Sequence, residues 1–226
     1  MTTLIDGDVV AYRVAFATQD KHKSEVTKKV DDLMDYVLFN TTPFFLNGNY
    51  SVYLTGSGNY RYDIDETYKG NRTGNRPDYL PIARNHLVVA YGAEVINGKE
   101  ADDAIATHAA SLDYKCTVAS VDKDFLQLPC KFYNITKNTD VKVSEFEAMK
   151  FFYAQCMEGD RVDNVQGVKG IGPKKAAQKL EGVDTEVDMW DVVVKAFGDD
   201  EEEAIKTARL LWLQREEGEL WKPPTS

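Results

Sequence analysis

Acidic residues recur in four short segments of this sequence, and each segment offers two or more carboxylates. A lone aspartate at a strand end or before a helix is usually a cap or a turn residue. Carboxylates that gather in one place repel each other, and hard divalent cations such as Mg²⁺ or Mn²⁺ prefer their oxygens as ligands. Two such cations can stabilise the attacking and leaving oxygens of phosphodiester cleavage. The acids of the four segments are Asp6 and Asp8; Glu100, Asp102 and Asp103; Asp122 and Asp124; and Asp160 and Asp163.

The pattern of apolar residues predicts the elements that would bring these acids together. Predicted strands and helices alternate up to about residue 135, which favours an α/β fold with a central, mainly parallel sheet flanked by helices. Carboxyl ends of parallel strands meet at one edge, where functional groups gather, so three of the four acidic segments are expected there. The predicted strands are 3–5, 50–54, 93–96, 116–121 and 132–135; the predicted helices are 9–17, one through 26–38, 79–90 and 101–112.

From residue 144 onward the sequence predicts helices and no strand. The chain is therefore divided into an α/β core at 1–143, with a polar loop or short arch at about 60–92, and a helical region at 144–226. Predicted helices of this second part are 145–155, 173–180, 186–196 and 203–215, and residues 222–226 are expected to form a loose tail.

The segment 167–177 reads Gly-Val-Lys-Gly-Ile-Gly-Pro-Lys-Lys-Ala-Ala and predicts a helix-hairpin-helix at about 159–181. Its glycines permit a tight turn and close backbone approach, and a proline suits the first position of the following helix. Free N–H groups at a helix start attract an anion, so such a hairpin can hold a phosphate backbone without reading bases. The alternative is an ordinary corner between helices. The predicted DNA-binding residues are Gly167, Lys169, Gly170, Gly172, Lys174 and Lys175.

A second basic patch lies in the predicted loop. Interleaved basic and aromatic side chains suit a nucleic-acid end or a single strand, although a solvated loop fits them equally well. The patch consists of Lys69, Arg72, Arg76 and Arg84, with Tyr60, Tyr62 and Tyr68 between or before them.

The formal net charge of −10 argues, taken alone, against a nucleic-acid partner. The acidic run at 199–203 and the recurring aspartates lower that sum, while the basic residues cluster elsewhere. The three cysteines are far apart and form neither a zinc spacing nor a disulfide framework. No apolar run approaches the roughly 20 residues that span a membrane, and no signal peptide is evident. These features predict a cytoplasmic protein without a membrane partner.

The motifs, in this order, resemble the flap-endonuclease and 5′→3′ exonuclease family, especially its compact phage and bacterial members. The match covers about residues 3–181, and 182–226 carries no motif of the family. The resemblance implies a PIN-like core and a structure-specific nuclease that cuts DNA near 5′ ends in replication or repair. The matching segments are 4–8 (Leu-Ile-Asp-Gly-Asp), 68–72 (Tyr-Lys-Gly-Asn-Arg), 100–103 (Glu-Ala-Asp-Asp), 120–124 (Ser-Val-Asp-Lys-Asp), 159–164 (Gly-Asp-Arg-Val-Asp-Asn) and 167–177.

The resemblance also implies roles for single residues. Lys69 and Arg72 would contact the scissile phosphate at the base of a helical arch, and two Mg²⁺ or Mn²⁺ ions would be bound. Asp6, Glu100, Asp102 and Asp122 would mainly serve the cleavage-promoting ion, and Asp124, Asp160 and Asp163 the second, with Asp103 in the same set. The carbonyls of Gln166, Val168 and Ile171 would bind K⁺ at the hairpin. The expected protein is a monomer acting on DNA with a 5′ end, flap or nick, or on an RNA–DNA hybrid.

Two departures from the family pattern leave alternatives open. The family usually has an aspartate after the second strand, whereas residues 54–58 read Leu-Thr-Gly-Ser-Gly. Either the first metal site is depleted or Asp8 substitutes, so a DNA-binding protein with weak or no nuclease activity is a second hypothesis. The short stretch 73–99 predicts a reduced arch. A third hypothesis, a haloacid-dehalogenase-like phosphatase, would use Asp6-Gly7-Asp8 as its D-x-D motif and leaves the hairpin unexplained.

Overall fold

The computed structural model of the protein describes residues 2–42 and 49–225. Within them, one six-stranded sheet has the order β3-β2-β1-β4-β5-β6. The first five of these strands are parallel, and β6 runs antiparallel to β5. The predicted α/β class with a mainly parallel sheet is confirmed. The strands are β1 (Thr2–Asp6), β2 (Tyr50–Thr55), β3 (Glu94–Ile96), β4 (Cys116–Ser120), β5 (Lys131–Asn134) and β6 (Thr139–Lys142).

Helices cover both faces of the sheet because each buries an apolar stripe. The helix α2, for example, buries Val26, Val30, Met34 and Val37 at spacings of three and four residues. One apolar cluster joins α1, α2 and α4 to the sheet, and another joins α5 to the opposite face. The helices of this half are α1 (Gly7–Thr18), α2 (Ser24–Thr41), α3 (Arg61–Ile64), α4 (Leu80–Tyr91) and α5 (Ala101–Ser111).

The chain reverses its direction across the sheet between β1 and β4. After β1 it adds β2 and β3 on one side, and it then returns to place β4 and β5 on the other. The crevice beyond the carboxyl ends of strands at such a reversal is where open α/β sheets bind ligands. Asp6 ends β1, and Asp122 follows β4, so the topology brings the first and third acidic segments to this crevice.

The second half is mostly helical and shares a large aromatic core. Phe152, Tyr153, Trp190 and Trp221 pack together there, and Tyr68 joins them from the first half. A capping box of Ser144 and Glu147 starts α6. The helices are α6 (Glu145–Glu158), α7 (Pro173–Lys179), α8 (Glu186–Ala196) and α9 (Glu201–Leu211). None of the helices in the described ranges is long and apolar enough to cross a membrane.

Two expectations for this half are wrong. Two short strands, β7 (Gly159–Asp160) and β8 (Val165–Gln166), pair antiparallel where no strand was predicted, because two residues are too few to show a period. The helix predicted at 203–215 ends at Leu211, and the chain then runs along the α/β core with Leu213 buried against it. The division at residue 143 stays a prediction. Ser226, in the predicted tail, lies outside the described residues.

Candidate active site

A cavity of about 680 Å³ opens beyond the carboxyl ends of the central strands. The structure brings members of all four acidic segments to its lining, although Asp103 and Asp160 do not line it. Basic residues of the predicted patch complete the wall, so the cavity combines an acidic floor with cationic sides. Its charged lining residues are Asp6, Asp8, Glu100, Asp102, Asp122, Asp124 and Asp163, with Arg61, Lys69, Arg72, Arg76 and Arg84.

Local hydrogen bonds fix the two acids at the strand ends. Asp6 caps α1 by accepting from the backbone N–H of Val9 at 3.1 Å, and it accepts from Ser120 Oγ at 2.6 Å. Asp122 caps the 3₁₀ helix Lys123–Gln127 by accepting from the N–H of Asp124 at 2.9 Å. The same serine Oγ accepts from the N–H of Asp122 at 3.1 Å. Ser120 therefore ties the ends of β1 and β4 together.

Burial makes the charged form of these floor acids costly. Burial, with smaller contributions from the neighbouring Asp8 and Asp122, raises the pKa of Asp6 to about 7. Burial and the charge of Asp122 raise the pKa of Asp124 to about 7 as well. The pKa of Asp102 is also raised by burial and by the nearby Asp6 and Asp122. Oxygen donors that repel each other in this way fit a hard divalent cation, which would stabilise their charged form.

Two of the remaining acids are turned toward cations. Lys69 forms an ion pair with Glu100 and lies 3.4 Å from Asp163, which also pairs with Arg72. The hydroxyl of Tyr68 donates to Glu100 at 2.9 Å and to Asp163 at 3.1 Å. Although burial raises it, the pKa of Glu100 lies below its ordinary value because Lys69 and Arg61 face it. We call these five residues, Tyr68, Lys69, Arg72, Glu100 and Asp163, the open cluster.

The metal-ligand geometry is accordingly not preassembled. Among the described residues, no three His, Cys, Asp or Glu side chains converge closely enough to hold a metal ion. The predicted catalytic pair Lys69 and Arg72 instead neutralises two of the predicted ligands, Glu100 and Asp163. Binding of an ion by Glu100 or Asp163 would therefore require those cations to give up their carboxylate partners.

The β7–β8 hairpin holds Asp163 against the basic loop. The backbone N–H of Lys69 donates to the carbonyl of Asp163 at 2.8 Å, and Asn164 Nδ2 donates to the carbonyl of Thr67, also at 2.8 Å. Lys69 has φ +56°, a left-handed conformation that non-glycine residues adopt rarely and that often marks functional sites. Asp160 accepts from the N–H of Val162 at 2.7 Å and thus caps the hairpin turn.

Arg61 and Asp103 form a second system, which we call the sealed pair. Their side chains are 2% and 0% exposed, and the guanidinium donates to both carboxylate oxygens at 2.7 and 2.9 Å. Arg61 also donates to the carbonyls of Leu210 and Trp212, and Asp103 accepts from the N–H of Gln214 at 3.2 Å. Both oxygens of Asp103 are committed to these partners, so we exclude it from the proposed ligand set.

Asp8 does not stand free at the place of the missing acid. It forms an ion pair with Arg84 and accepts from the N–H of Thr55 at 2.8 Å. Arg84 in turn donates to the carbonyl of Thr55 at 2.5 Å. At the end of β2, where the family pattern has an aspartate, lies instead the guanidinium of Arg84 from α4, which Asp8 holds in place. Sequence reasoning missed the partners of both Arg61 and Arg84, since a single arginine in a polar loop or helix gives no signal.

In the glycine-rich segment 167–177, predicted to bind DNA, the side chains of Lys169, Lys174 and Lys175 are exposed to solvent. Gly170 has φ +82° and has no neighbour that a Cβ atom would meet, so its chain can turn tightly with an open face. Gly167 differs, since a Cβ atom there would overlap the backbone of Glu158. The lack of a side chain at Gly167 therefore allows its backbone to pack closely against the backbone of Glu158.

The carbonyls predicted for a monovalent cation are partly engaged. The Gln166 carbonyl accepts from Thr207 Oγ1 at 3.3 Å, and the Val168 carbonyl accepts from the N–H of Ile171 at 3.0 Å. Each carbonyl oxygen has a second lone pair. A K⁺ site at Gln166, Val168 and Ile171 therefore stays a prediction.

The model of a protein family described as 5′-3′ exonuclease, N-terminal resolvase-like domain, matches residues 1–155. The chain belongs to the 5′-3′ exonuclease family. This confirms the resemblance inferred from the motifs, and it leaves no support for the haloacid-dehalogenase hypothesis, whose two aspartates are bound to Ser120 and Arg84.

Individual relatives are consistent with membership of the 5′-3′ exonuclease family. DNA polymerase I of Bacillus caldotenax is 30% identical over 91% of this chain and 26% of its own length. The 5′-3′ exonuclease of Bacillus subtilis is 26% identical over 80% of this chain and 70% of its own. The chain spans only 14% to 26% of the four DNA polymerase I relatives compared.

Solved structures show the same fold. The T5 5′-exonuclease, solved with divalent metal ions (zinc), matches with a TM-score of 0.70 at 17% identity, covering 93% of this chain and 89% of that one. The match extends past residue 155, so the fold similarity includes most of the helical half.

Proposed function

We propose that this protein is a structure-specific 5′→3′ nuclease that hydrolyses DNA phosphodiesters near 5′ ends during replication or repair. The observation that carries the proposal is one cavity in which acids from four separate segments meet Lys69 and Arg72. Membership of the 5′-3′ exonuclease family supports the same reaction. A T5 flap endonuclease of this fold has been solved with DNA and metal ions, which supports DNA as the partner here.

Two divalent cations, Mg²⁺ or Mn²⁺, fit the donors of the floor. Asp6, Asp102 and Asp122 would hold the cleavage-promoting ion together with Glu100. Asp124 and Asp163 would hold the second, with Asp160 adjacent in the same hairpin. Such ions supply an acidified water and stabilise charge on the attacking and leaving oxygens. The raised pKa values of Asp6 and Asp124 support this assignment, because a cation offsets the cost of ionising buried carboxylates.

Lys69 and Arg72 would exchange partners when substrate arrives. They now neutralise Glu100 and Asp163. A phosphodiester entering with cations would take over the two side chains, which would then orient it and stabilise the charge that develops during cleavage. The released Glu100 and Asp163 would turn to the cations. The open cluster would thus keep the acids compensated until substrate binds.

The glycine-rich segment 167–177 would hold the duplex beside the cavity. Exposed Lys169, Lys174 and Lys175 with the backbone at Gly170 and Gly172 suit contacts to phosphates rather than bases. Such contacts do not separate DNA from an RNA–DNA hybrid, so the hybrid remains a second substrate to test. A K⁺ ion at the hairpin, a monomeric state and a location in the bacterial or phage-infected cytoplasm stay predictions from sequence.

Cleavage of a 5′-labelled flap and a plain duplex in Mg²⁺, Mn²⁺ or EDTA tests the proposal. We expect metal-dependent cutting that falls on the order of 100-fold or more in Asp122→Asn, since a lost metal contact removes several kcal/mol of stabilisation. Asp113→Asn, an exposed change at the start of the loop before β4, is the matched control. Full Mg²⁺-dependent cleavage by Asp122→Asn would contradict the metal site. Product lengths separate exonuclease from flap cutting.

One observation favours the second hypothesis, a DNA-binding protein with little nuclease activity. The end of β2 has no acid, and Asp8 is paired with Arg84 rather than free to replace it. Tight DNA binding in EDTA, with no cutting by the wild type in either metal, would support this hypothesis over the first.

A further inference from the structure

We propose that Arg84 binds a phosphate group of the DNA strand that occupies the cavity, at the end next to β2, and that Asp8 positions it there. The proposal rests on the proposed function, because the ligand is a phosphate of the substrate. Neither residue belongs to the proposed metal ligands or to the open cluster.

The guanidinium of Arg84 is fixed but not used up. One terminal nitrogen pairs with Asp8 and the other donates to the carbonyl of Thr55 at 2.5 Å. Asp8 is itself held by the N–H of Thr55 at 2.8 Å. A guanidinium has five N–H donors, and among the described residues only Asp8 and Thr55 accept from this one. The remaining donors can bind a phosphate in the forked geometry that arginine favours.

Arg84 faces the cavity with its side chain 25% exposed, and Asp8 beside it is 23% exposed. A partly exposed ion pair contributes little stability. The helices α1 and α4 that carry the two residues are already joined by buried side chains such as Val10, Val14 and Leu87. The pair is therefore not needed to hold these helices together. Its position in the cavity lining is instead consistent with binding a ligand that enters the cavity.

The two groups of basic residues in the cavity wall contact different elements. Lys69 and Arg72 contact the start of α5 and the β7–β8 hairpin, whereas Arg84 contacts α1 and the end of β2. Asp6, Asp8, Glu100 and Asp102 line the same cavity, so the partners of both basic groups adjoin the proposed metal ligands. A strand whose scissile phosphate lies over the floor beside Lys69 would present a neighbouring phosphate to Arg84. Arg76, also in the lining, adds positive charge to the cavity.

DNA binding at graded NaCl concentrations tests the proposal without relying on cleavage. Fluorescence anisotropy with a 5′-flap duplex is measured in Mg²⁺, in an Asp122→Asn background in which we expect cutting to be slow. We expect Arg84→Gln to weaken binding about tenfold and to lower the slope of log K against log salt by about 1, as for loss of one phosphate contact. Arg84→Lys keeps the slope because it keeps the charge. Lys115→Gln, which removes an exposed charge at the amino end of β4, leaves both unchanged.

The contribution of Asp8 has its own variant. Asp8→Asn keeps the charge of Arg84 but weakens its anchor, so we expect an unchanged salt slope with an affinity between those of the parent and Arg84→Gln. If Arg84→Gln fails to fold, the Asp8→Asn/Arg84→Gln double variant leaves no unpaired carboxylate and supports the same comparison.

Substrates with a 5′-phosphate and a 5′-hydroxyl distinguish a terminal phosphate from an internal one. If Arg84 binds the terminal monoester, the parent prefers the phosphorylated end and Arg84→Gln loses that preference. If it binds an internal diester, the variant loses the same affinity for both substrates. Equal slopes and affinities for Arg84→Gln and Lys115→Gln on both substrates would overturn the proposal. Should the wild type not cleave, the same titrations on the wild-type background still decide the role of Arg84.

Discussion

The sealed pair and the open cluster use the same chemistry, arginine or lysine against carboxylate, and they meet at the start of one helix. Glu100 of the open cluster and Asp103 of the sealed pair are three residues apart, and Arg61 lies 3.7 Å from Glu100. Yet Arg61 is 2% exposed, whereas Arg72 is 51% exposed. The sealed pair is closed off from solvent although Arg61 adjoins the cavity wall, whereas the side chains of the open cluster are accessible from the cavity.

Because of this difference in exposure, the two systems have different roles. The sealed pair is saturated by the carbonyls of Leu210 and Trp212 and by the N–H of Gln214, so it holds the C-terminal segment against the start of α5. The open cluster has cations that a phosphate can recruit and carboxylates that a metal can recruit. Under the proposed assignment, the neighbouring acids Asp102 and Asp103 differ in role: Asp102 would bind a metal ion, whereas Asp103 anchors the C-terminal segment.

The largest expected effect comes from breaking the sealed pair. Asp103→Asn removes the two-oxygen partner of the buried Arg61 and leaves only Glu100, 3.7 Å away, to oppose its charge, so we expect a loss of about 3–5 kcal/mol in the free energy of unfolding. Urea unfolding measures the loss. The matched control is Asp163→Asn in the open cluster, where we expect little change in stability and a large fall in cleavage.

A double variant checks the physical reason. Arg61→Met with Asp103→Leu replaces the pair by apolar groups of similar size, and such replacements of buried pairs are often neutral or stabilising. Stability restored above that of Asp103→Asn is the expected result. If Asp103→Asn instead unfolds like the wild type but binds Mn²⁺ poorly, Asp103 is a ligand after all and the contrast between the two systems fails.

A smaller effect, confined to the floor acids, is a dependence of stability on pH without metal. Asp6 has a pKa of about 7 in the folded protein against an ordinary 3.8, so between these values the folded state keeps a proton that the unfolded state has lost. Stability in EDTA therefore falls as pH rises from about 5.5 to 7.5. The lowered pKa of Glu100 adds no slope in this window, because that group is ionised in both states.

Urea unfolding in EDTA at pH 5.5, 6.5 and 7.5 measures this slope. Asp6→Asn should reduce the slope but not abolish it, because Asp124 also has a pKa of about 7 in the folded protein. Added Mg²⁺ should stabilise the protein most at the highest pH, where the ligands are ionised. Stability that stays constant or rises over this range in EDTA would show that burial does not raise the pKa values of these acids.

Much of the fold was predictable because its signals are local. The apolar strands β1, β2 and β4, the 3.6-residue period of α2 and the turn residues between them place the acids at one sheet edge. β6 escaped prediction because its four residues are all exposed and alternate no apolar face. The pairing of β7 with β8 was missed because two residues make no pattern.

The candidate site was predictable in its acids but not in its partners. Asp6 and Asp122 could be predicted because each comes at the end of a predicted strand. The contact of Arg61 with Asp103, by contrast, joins residues 42 apart and depends on the whole packed fold. The same holds for Arg84 and Asp8, 76 residues apart. Long-range partners decide whether an acid is free to bind a cation, and sequence spacing does not contain that information.

The smallest expected effect on stability, and the sharpest test of the open cluster, is Arg72→Gln. Because Arg72 is half exposed, losing its pair with Asp163 should change the free energy of unfolding by about 0.5 kcal/mol or less. Its loss should still slow cleavage about tenfold, since the guanidinium would stabilise charge that develops only during the reaction. Single-turnover rates on a flap substrate at saturating enzyme measure this step apart from binding. A variant that cleaves at the wild-type rate would leave Arg72 as a surface partner of Asp163 and would confine the catalytic role to Lys69.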